Sequence, residues 1–257
     1  MKTSFIRCAY AAGALVAAAM VPAPASAATF GLLGLSTNSG AFATQSSGGI
    51  NVRISAWSLS GVSGATGTLS AALLGQYGSG LGATSSGEDG NSNTHTVDNE
   101  INRDFLVFQF DKQVSLIDAL FTAFSLPSNT TNFDTDFTVG SGTTGSAWTS
   151  TLALGGLTYA QLLTQLGNGI NSYAGAASVN NATPAATQAL NPLNKYGNVW
   201  VIGSSFANPD SKFDAYKLSN LNAVVAVPES ATWMMMIAGF GIVGAASRRQ
   251  RKIAALV

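Results

Sequence analysis

The stretch Asp104–Phe124, DFLVFQFDKQVSLIDALFTAF, decides what kind of fold this chain adopts. Its first part, Asp104–Phe110, is a dense apolar run with three phenylalanines and reads as a strand. Asp111 and Lys112 interrupt it. Gln113–Phe124 then continues either as strand throughout or with a brief helical turn around Ile117–Leu120, a choice that periodicity leaves open. Working outward, Asn51–Leu59 alternates with Val52, Ile54 and Ala56 on one face, and Phe133–Val139, Asn198–Phe206 and Phe213–Val225 read as further strands.

Gly- and Ser-rich joints separate these strands irregularly. The pattern predicts a mainly β chain with a single β-sandwich or jelly-roll-like domain over residues 28–226, rather than a parallel sheet with crossover helices. Only Leu157–Leu166 has helical spacing, with Tyr159, Leu162, Leu163 and Leu166 on one side. Residues 178–194, with Pro184 and Pro192, read as a long surface loop. No internal repeat suggests a solenoid or propeller.

The two ends differ from this middle. Lys2 and Arg7 precede an apolar run from Cys8 to Val21 and an Ala-Ser-Ala site ending at Ala27, so residues 1–27 are expected to be a signal peptide. At the other end, residues 231–247 carry no charge and are followed by Arg248, Arg249, Arg251 and Lys252. Seventeen residues make a helix of roughly 26 Å, near the length of a bilayer span, and it is apolar on every face. A transmembrane helix over 231–247 is therefore expected, with the basic tail 248–252 on the cytoplasmic side and the β-domain outside.

Val227, Pro228 and Glu229, the short hydrophobic segment with Trp233 near its start, and the cluster of Arg248, Arg249 and Arg251 resemble the PEP-CTERM sorting signal of bacterial surface proteins. Ser230 stands where the usual motif has a second proline. The resemblance implies processing by the membrane enzyme exosortase, with motif 227–230, helix 231–247 and tail 248–252 forming a sorting segment at 227–252. It implies a destination at the cell surface or in the extracellular matrix, among exopolysaccharide.

Composition narrows the function of the middle. Cys8, the one cysteine, lies in the leader, so residues 28–226 hold no disulfide, thiolate metal site or cysteine nucleophile. Six basic residues there, Arg53, Arg103, Lys112, Lys195, Lys212 and Lys217, face eleven acidic ones, a surplus of five negative charges. That balance argues against a nucleic-acid partner, which needs a basic face.

Nine of the twelve acidic residues fall between Glu88 and Asp136. Within this region Asp89, Asn91, Asn93 and Glu100 have the spacing of an EF-hand calcium loop, but Thr94 replaces the turn glycine and no amphipathic helix flanks the string. A calcium site on a β-loop remains open beside a solvated polar turn. His95, the sole histidine, suits a structural hydrogen-bonding role better than a general base. Asp134 and Asp136 alternate along an expected strand about 7 Å apart, so a glycosidase pair is one reading and an outward polar face the other.

The string Gly80–Asp111 is also similar to a group of exosortase-dependent surface proteins, through Gly82, Asp89, the His95-x-x-Asp98-Asn99 core, Asp104 and Phe110, with fainter echoes at Asp134, Asp136, Trp200 and Asp214–Leu218. It implies a shared sandwich domain with no established activity. Three functions follow: a non-catalytic surface or matrix protein, a calcium-dependent lectin-like module using Trp57, Trp148 or Trp200 as a sugar platform, and a glycoside hydrolase resting on Asp134 and Asp136.

Overall fold

In the computed structural model, the described residues are 27–61, 67–88, 93–126, 133–167, 169–173, 175, 185–206, 212–225 and 229–254. Residues 1–26 of the expected leader, together with Asp89, Asn91, Val227 and Pro228, lie outside them, as do the side chains of Glu229, Arg249 and Arg251.

Residues 104–124 settle the architecture. Residues 104–123 belong to one 22-residue strand, β8 (Asn102–Ala123), which continues through Asp111 and Lys112. Its first half pairs with β4 (Ile50–Ser60) and β12 (Gly197–Ser204), and its second half with β13 (Ala215–Val225) and β11 (Ala185–Ala189). From β4 the pairing passes to β5 (Leu69–Tyr77), then β6 (Gly80–Thr84), then β13, and so back to β8. The five antiparallel strands β8, β13, β6, β5 and β4 thereby close into a barrel. β1 (Ala27–Gly31) joins β13, β3 (Phe42–Ser47) joins β4 and β2 (Thr37–Asn38) extends β3. β7 (Val97–Asp98) joins β13, while β9 (Phe137–Gly142) and β10 (Ile170–Tyr173) extend the sheet beyond β12. The mainly β class stands, but the β-sandwich or jelly-roll expected over 28–226 is replaced by a closed five-stranded barrel with added strands, because β8 is long enough to pair with both β4 and β13.

The burial of β8 explains its composition. Leu106, Phe108 and Phe110 enter the barrel core with Ile54, Phe121, Trp200 and Tyr216. Phe105 and Val107, pointing the other way, join a second apolar cluster with Trp57, Leu59, Val199 and Val201. Both faces are dry, so the run is apolar without alternation. Val52, Ile54 and Ala56 share the inner face as expected.

The helical ambiguity at Ile117–Leu120 has a cause. Asn222 opposes Asp118 and Ala223 opposes Leu116, so Ile117 is the extra residue of a β-bulge, and it is exposed. The bulge shifts the alternation by one, placing both Leu116 and Ala119 inside.

The second cluster is roofed by the helix Tyr159–Leu166. Thr158 caps it, accepting from the Gln161 backbone N–H while the Gln161 side chain accepts from that of Thr158, and Gly167 ends it at φ 67°. Leu162 and Leu166 are the buried pair. Within the expected loop 178–194, residues 185–189 instead form β11: alternating burial along AATQA, without large apolar side chains, gives a strand that sequence pattern does not mark. The expected strand at Phe133–Val139 begins only at Phe137.

Residues Ser26–Ala226 form one compact unit, and the terminal helix is described by itself. It runs over Glu229–Ala254, 26 residues, and so continues through the basic cluster instead of stopping before it. Among the described residues no helix is long and apolar enough to cross a membrane. The span expected at 231–247 lies partly outside the residues whose side chains are described.

Candidate functional site

Acidic side chains scattered along 88–136 gather in two places. In the first, a turn after β6 carries Glu88, whose Oε2 accepts from the Ser85 backbone N–H at 2.6 Å. Asp98 comes from β7, fixed by pairing of Ala215 with Asp98 and Tyr216 with Val97. Asp104 comes from β8, opposite Ser58 of β4. One carboxylate oxygen from each of the three lies within 4.8 Å of the others. The approach is close because Gly82 lets β6 run against the chain at His95; a Cβ on Gly82 would collide with the His95 carbonyl oxygen.

Partners are unevenly distributed among the three. Asp98 Oδ2 accepts from the Thr96 hydroxyl at 3.0 Å and Oδ1 from the Glu100 N–H at 3.1 Å. Asp104 is 0% exposed, and among the described residues neither of its carboxylate oxygens receives a hydrogen bond; Glu88 Oε1 is buried in the same condition. Burial, followed by the charge of Glu88, pushes Asp98 up to about 8. Burial and the charges of Asp98 and Glu88 hold Asp104 well above the usual carboxylate range. The Ser85 hydroxyl offsets part of this from nearby, short of hydrogen-bond geometry. Glu88 is raised by burial too.

The second group is Asp134, Asp136 and Asp214, all buried and likewise within 4.8 Å of one another. Its polar contacts are structural. Asn99 Nδ2 donates to Asp214 Oδ2 at 2.6 Å, and the Asp214 N–H returns a bond to Asn99 Oδ1 at 2.9 Å. Ser205 N–H donates to Asp214 Oδ2, Asp136 N–H to Asp134 Oδ1 and Gly175 N–H to Asp136 Oδ1. The expected alternation of Asp134 and Asp136 along a strand is corrected: both precede β9, and their carboxylates turn inward together. Glycosidases keep paired carboxylates about 5 Å or more apart around a sugar. Here both residues are buried, at 1% and 7% exposed, with one oxygen of each within 4.8 Å of the other.

The expected calcium spacing fares differently from the His-x-x-Asp-Asn core. Asn93 turns its Nδ2 to the Ser125 carbonyl at 2.8 Å, with φ 73°, and Glu100 supplies its N–H to Asp98 rather than joining the close triad. His95 packs its ring 4.2 Å from that of Tyr77. Asp98 and Asp104 meet Glu88 in one cluster, and Asn99 serves the other. Glu88 was not among the residues singled out by sequence, because EF-hand spacing begins one position later.

Two of the three tryptophans offered as a sugar platform are interior. Trp57 is 6% exposed and donates to Ser55 Oγ; Trp200 is 1% exposed and donates to the carbonyls of Val114 and Gly197. Trp148 is half-buried. A cavity of about 360 Å³ lies elsewhere, between Val107, Val199 and Val201 on one side and Leu154, Leu162 and Leu166 on the other. Comparison with protein-family models, with characterised proteins and with solved structures finds no match to this chain.

Proposed function

We propose that this chain is an exported, non-catalytic surface or matrix protein whose β-domain lies outside the cell and whose tail is handled at the membrane by exosortase. One observation supports this reading most directly. Met234, Met235, Met236, Ile237, Phe240, Ile242 and Val243 are all exposed along one helix, and Arg248 follows on the same helix. A helix apolar all round is a poor surface for water and a good one for lipid or a membrane enzyme, and the basic end favours the cytoplasmic side. The resemblance of Val227, Pro228 and Glu229 to a PEP-CTERM motif and the leader-like pattern of residues 1–27 agree with it, and extracellular polysaccharide is the surrounding this implies.

The test is topological. The full chain is produced in a host with an active exosortase, intact cells are treated with protease, and the mature species is weighed by mass spectrometry. Digestion of the β-domain on intact cells and loss of the segment after residue 227 are expected. A β-domain protected in intact cells, with both ends still attached, would overturn the proposal.

A further inference from the structure

We propose that Glu88, Asp98 and Asp104 form a site for a hard divalent cation, with calcium as its occupant, that fastens the turn after β6 and the strand β7 to β8.

Geometry is the first support. A calcium ion held at about 2.3–2.6 Å by several oxygens places those oxygens roughly 3–5 Å apart. The three carboxylates supply one oxygen each inside a 4.8 Å circle. They come from three separate pieces of the fold, the turn after β6, β7 and β8, so an ion there would bridge all three.

Asp104 is the second, independent support. Its side chain is fully buried, and neither of its oxygens has a hydrogen-bond partner among the described residues. A buried carboxylate is strongly unfavourable unless it meets a cation or a set of donors. The neighbouring Arg103 does not serve: successive strand residues face opposite ways, and its Nη1 donates to the Gly61 carbonyl at 3.1 Å. Glu88 Oε1 is buried without a hydrogen-bond partner as well. Two side chains thus present bare oxygens where the third, Asp98, retains lone pairs beyond its two accepted bonds.

The donor set chooses the class of ion. Every ligand is a carboxylate oxygen, with the Ser85 hydroxyl and the Ser86 carbonyl held nearby by Asn102 Nδ2 at 3.0 and 2.9 Å. Oxygen-only sites suit calcium, magnesium or manganese rather than zinc or copper. Irregular placement on a turn and two strands suits calcium, which accepts six to eight ligands in flexible arrangements, over magnesium, which demands a near-octahedral set. The inference does not depend on export: a cytoplasmic chain would carry the same three carboxylates.

The experiment uses the full chain, stripped with chelator and titrated with calcium chloride by calorimetry, with thermal melting in parallel and magnesium chloride as comparison. One strong calcium site per chain and a rise of several degrees in melting temperature are expected, with magnesium giving much less. Asp104→Asn keeps the shape of the side chain and is expected to weaken calcium binding about 100-fold, as loss of a charged ligand does. Glu88→Gln, at a half-buried turn position, provides the same readout should Asp104→Asn fold poorly. Asp136→Asn, in the other acidic group, is expected to leave calcium affinity in place. Absence of calcium heat in the unaltered chain overturns the site, and so does binding that survives Asp104→Asn and Glu88→Gln or that Asp136→Asn alone removes.

Discussion

Phe121→Ala and Ile117→Ala, four residues apart on β8, test the register of the strand on which the barrel closes. Phe121 is 0% exposed, with ring centroids of Tyr216 at 4.6 Å and Phe137 at 4.9 Å. Truncating a buried phenylalanine costs about 3–5 kcal/mol, and each aromatic pair adds about 0.5–1.5 kcal/mol beyond buried area. The expected loss is therefore near the top of the range, about 5 kcal/mol, a large part of the roughly 5–15 kcal/mol that holds a domain folded. Ile117 is 47% exposed at the bulge, and half of a full isoleucine burial is about 1 kcal/mol. Urea unfolding followed by tryptophan fluorescence reads both. With a slope of about 1–3 kcal/mol/M, the midpoint for Phe121→Ala falls by roughly 2 M or more, while Ile117→Ala moves it by less than about 1 M. A helical turn over 117–120 would bring the two costs together. Equal midpoints for the two variants would refute the strand and the bulge alike.

Three further outcomes follow from other contacts. Gly142→Ala places a Cβ against the Leu166 carbonyl oxygen, so it is expected to cost about 1–3 kcal/mol and to loosen the short helix, visible as faster amide exchange over 159–166. Thr158→Ala removes the capping box at the start of that helix, with a loss of about 1 kcal/mol in the same urea assay. Lys217 is buried with its Nζ 4.4 Å from the Tyr77 ring and 4.1 Å from that of Phe124, and burial pushes its amine down to about 8. A lowered lysine pKa means the unfolded chain binds more protons between about pH 8 and 10.5, so this group's cost is present below pH 8 and fades as pH rises. Lys217→Met is expected to be more stable than the unaltered chain at pH 7, on the order of 1 kcal/mol after screening and the ring attraction are discounted, and to lose that advantage by pH 10.5. An advantage that stayed constant across this range would show that the amine is not the cause.

Several strands with large side chains were legible in the sequence, whereas β5, despite Leu69, Leu73 and Leu74, and the strands built of small residues were not. Asn51–Leu59, Asn198–Phe206 and Phe213–Val225 each lie within about two residues of β4, β12 and β13, because burial of Ile54, Trp200 or Leu221 leaves a period-two trace. β6 reads GLGAT and β11 reads AATQA, and neither carries such a trace; β6 is glycine-rich where other backbone passes close. Closure of the barrel was not readable either, since it follows from β8 passing unbroken through Asp111 and Lys112. Asp111 does not end the strand because its carboxylate accepts from the backbone and side chain of Asn51 at 2.9 and 2.8 Å, which ties the polar step into the β4 edge. The acidic triad was half visible. The crowding of acids at 88–136 and the Asp98 and Asp104 positions stood out, but Glu88 reaches them only once β6, β7 and β8 lie side by side, a proximity that linear spacing does not encode.

The place of β13 sets the order in which this protein acquires its shape. It lies between β8 and β6 and also receives β1, so Ala27 finds its partner Val224 only 197 positions later. A growing chain therefore stays open along both edges until its last strand is supplied, and such distant pairings make for slow ring closure. A chain halted before Ala215 keeps two unsatisfied strand edges and the aromatic floor around Phe121, the ingredients of misassembly. Until β13 is supplied, the ring has no strand to close it.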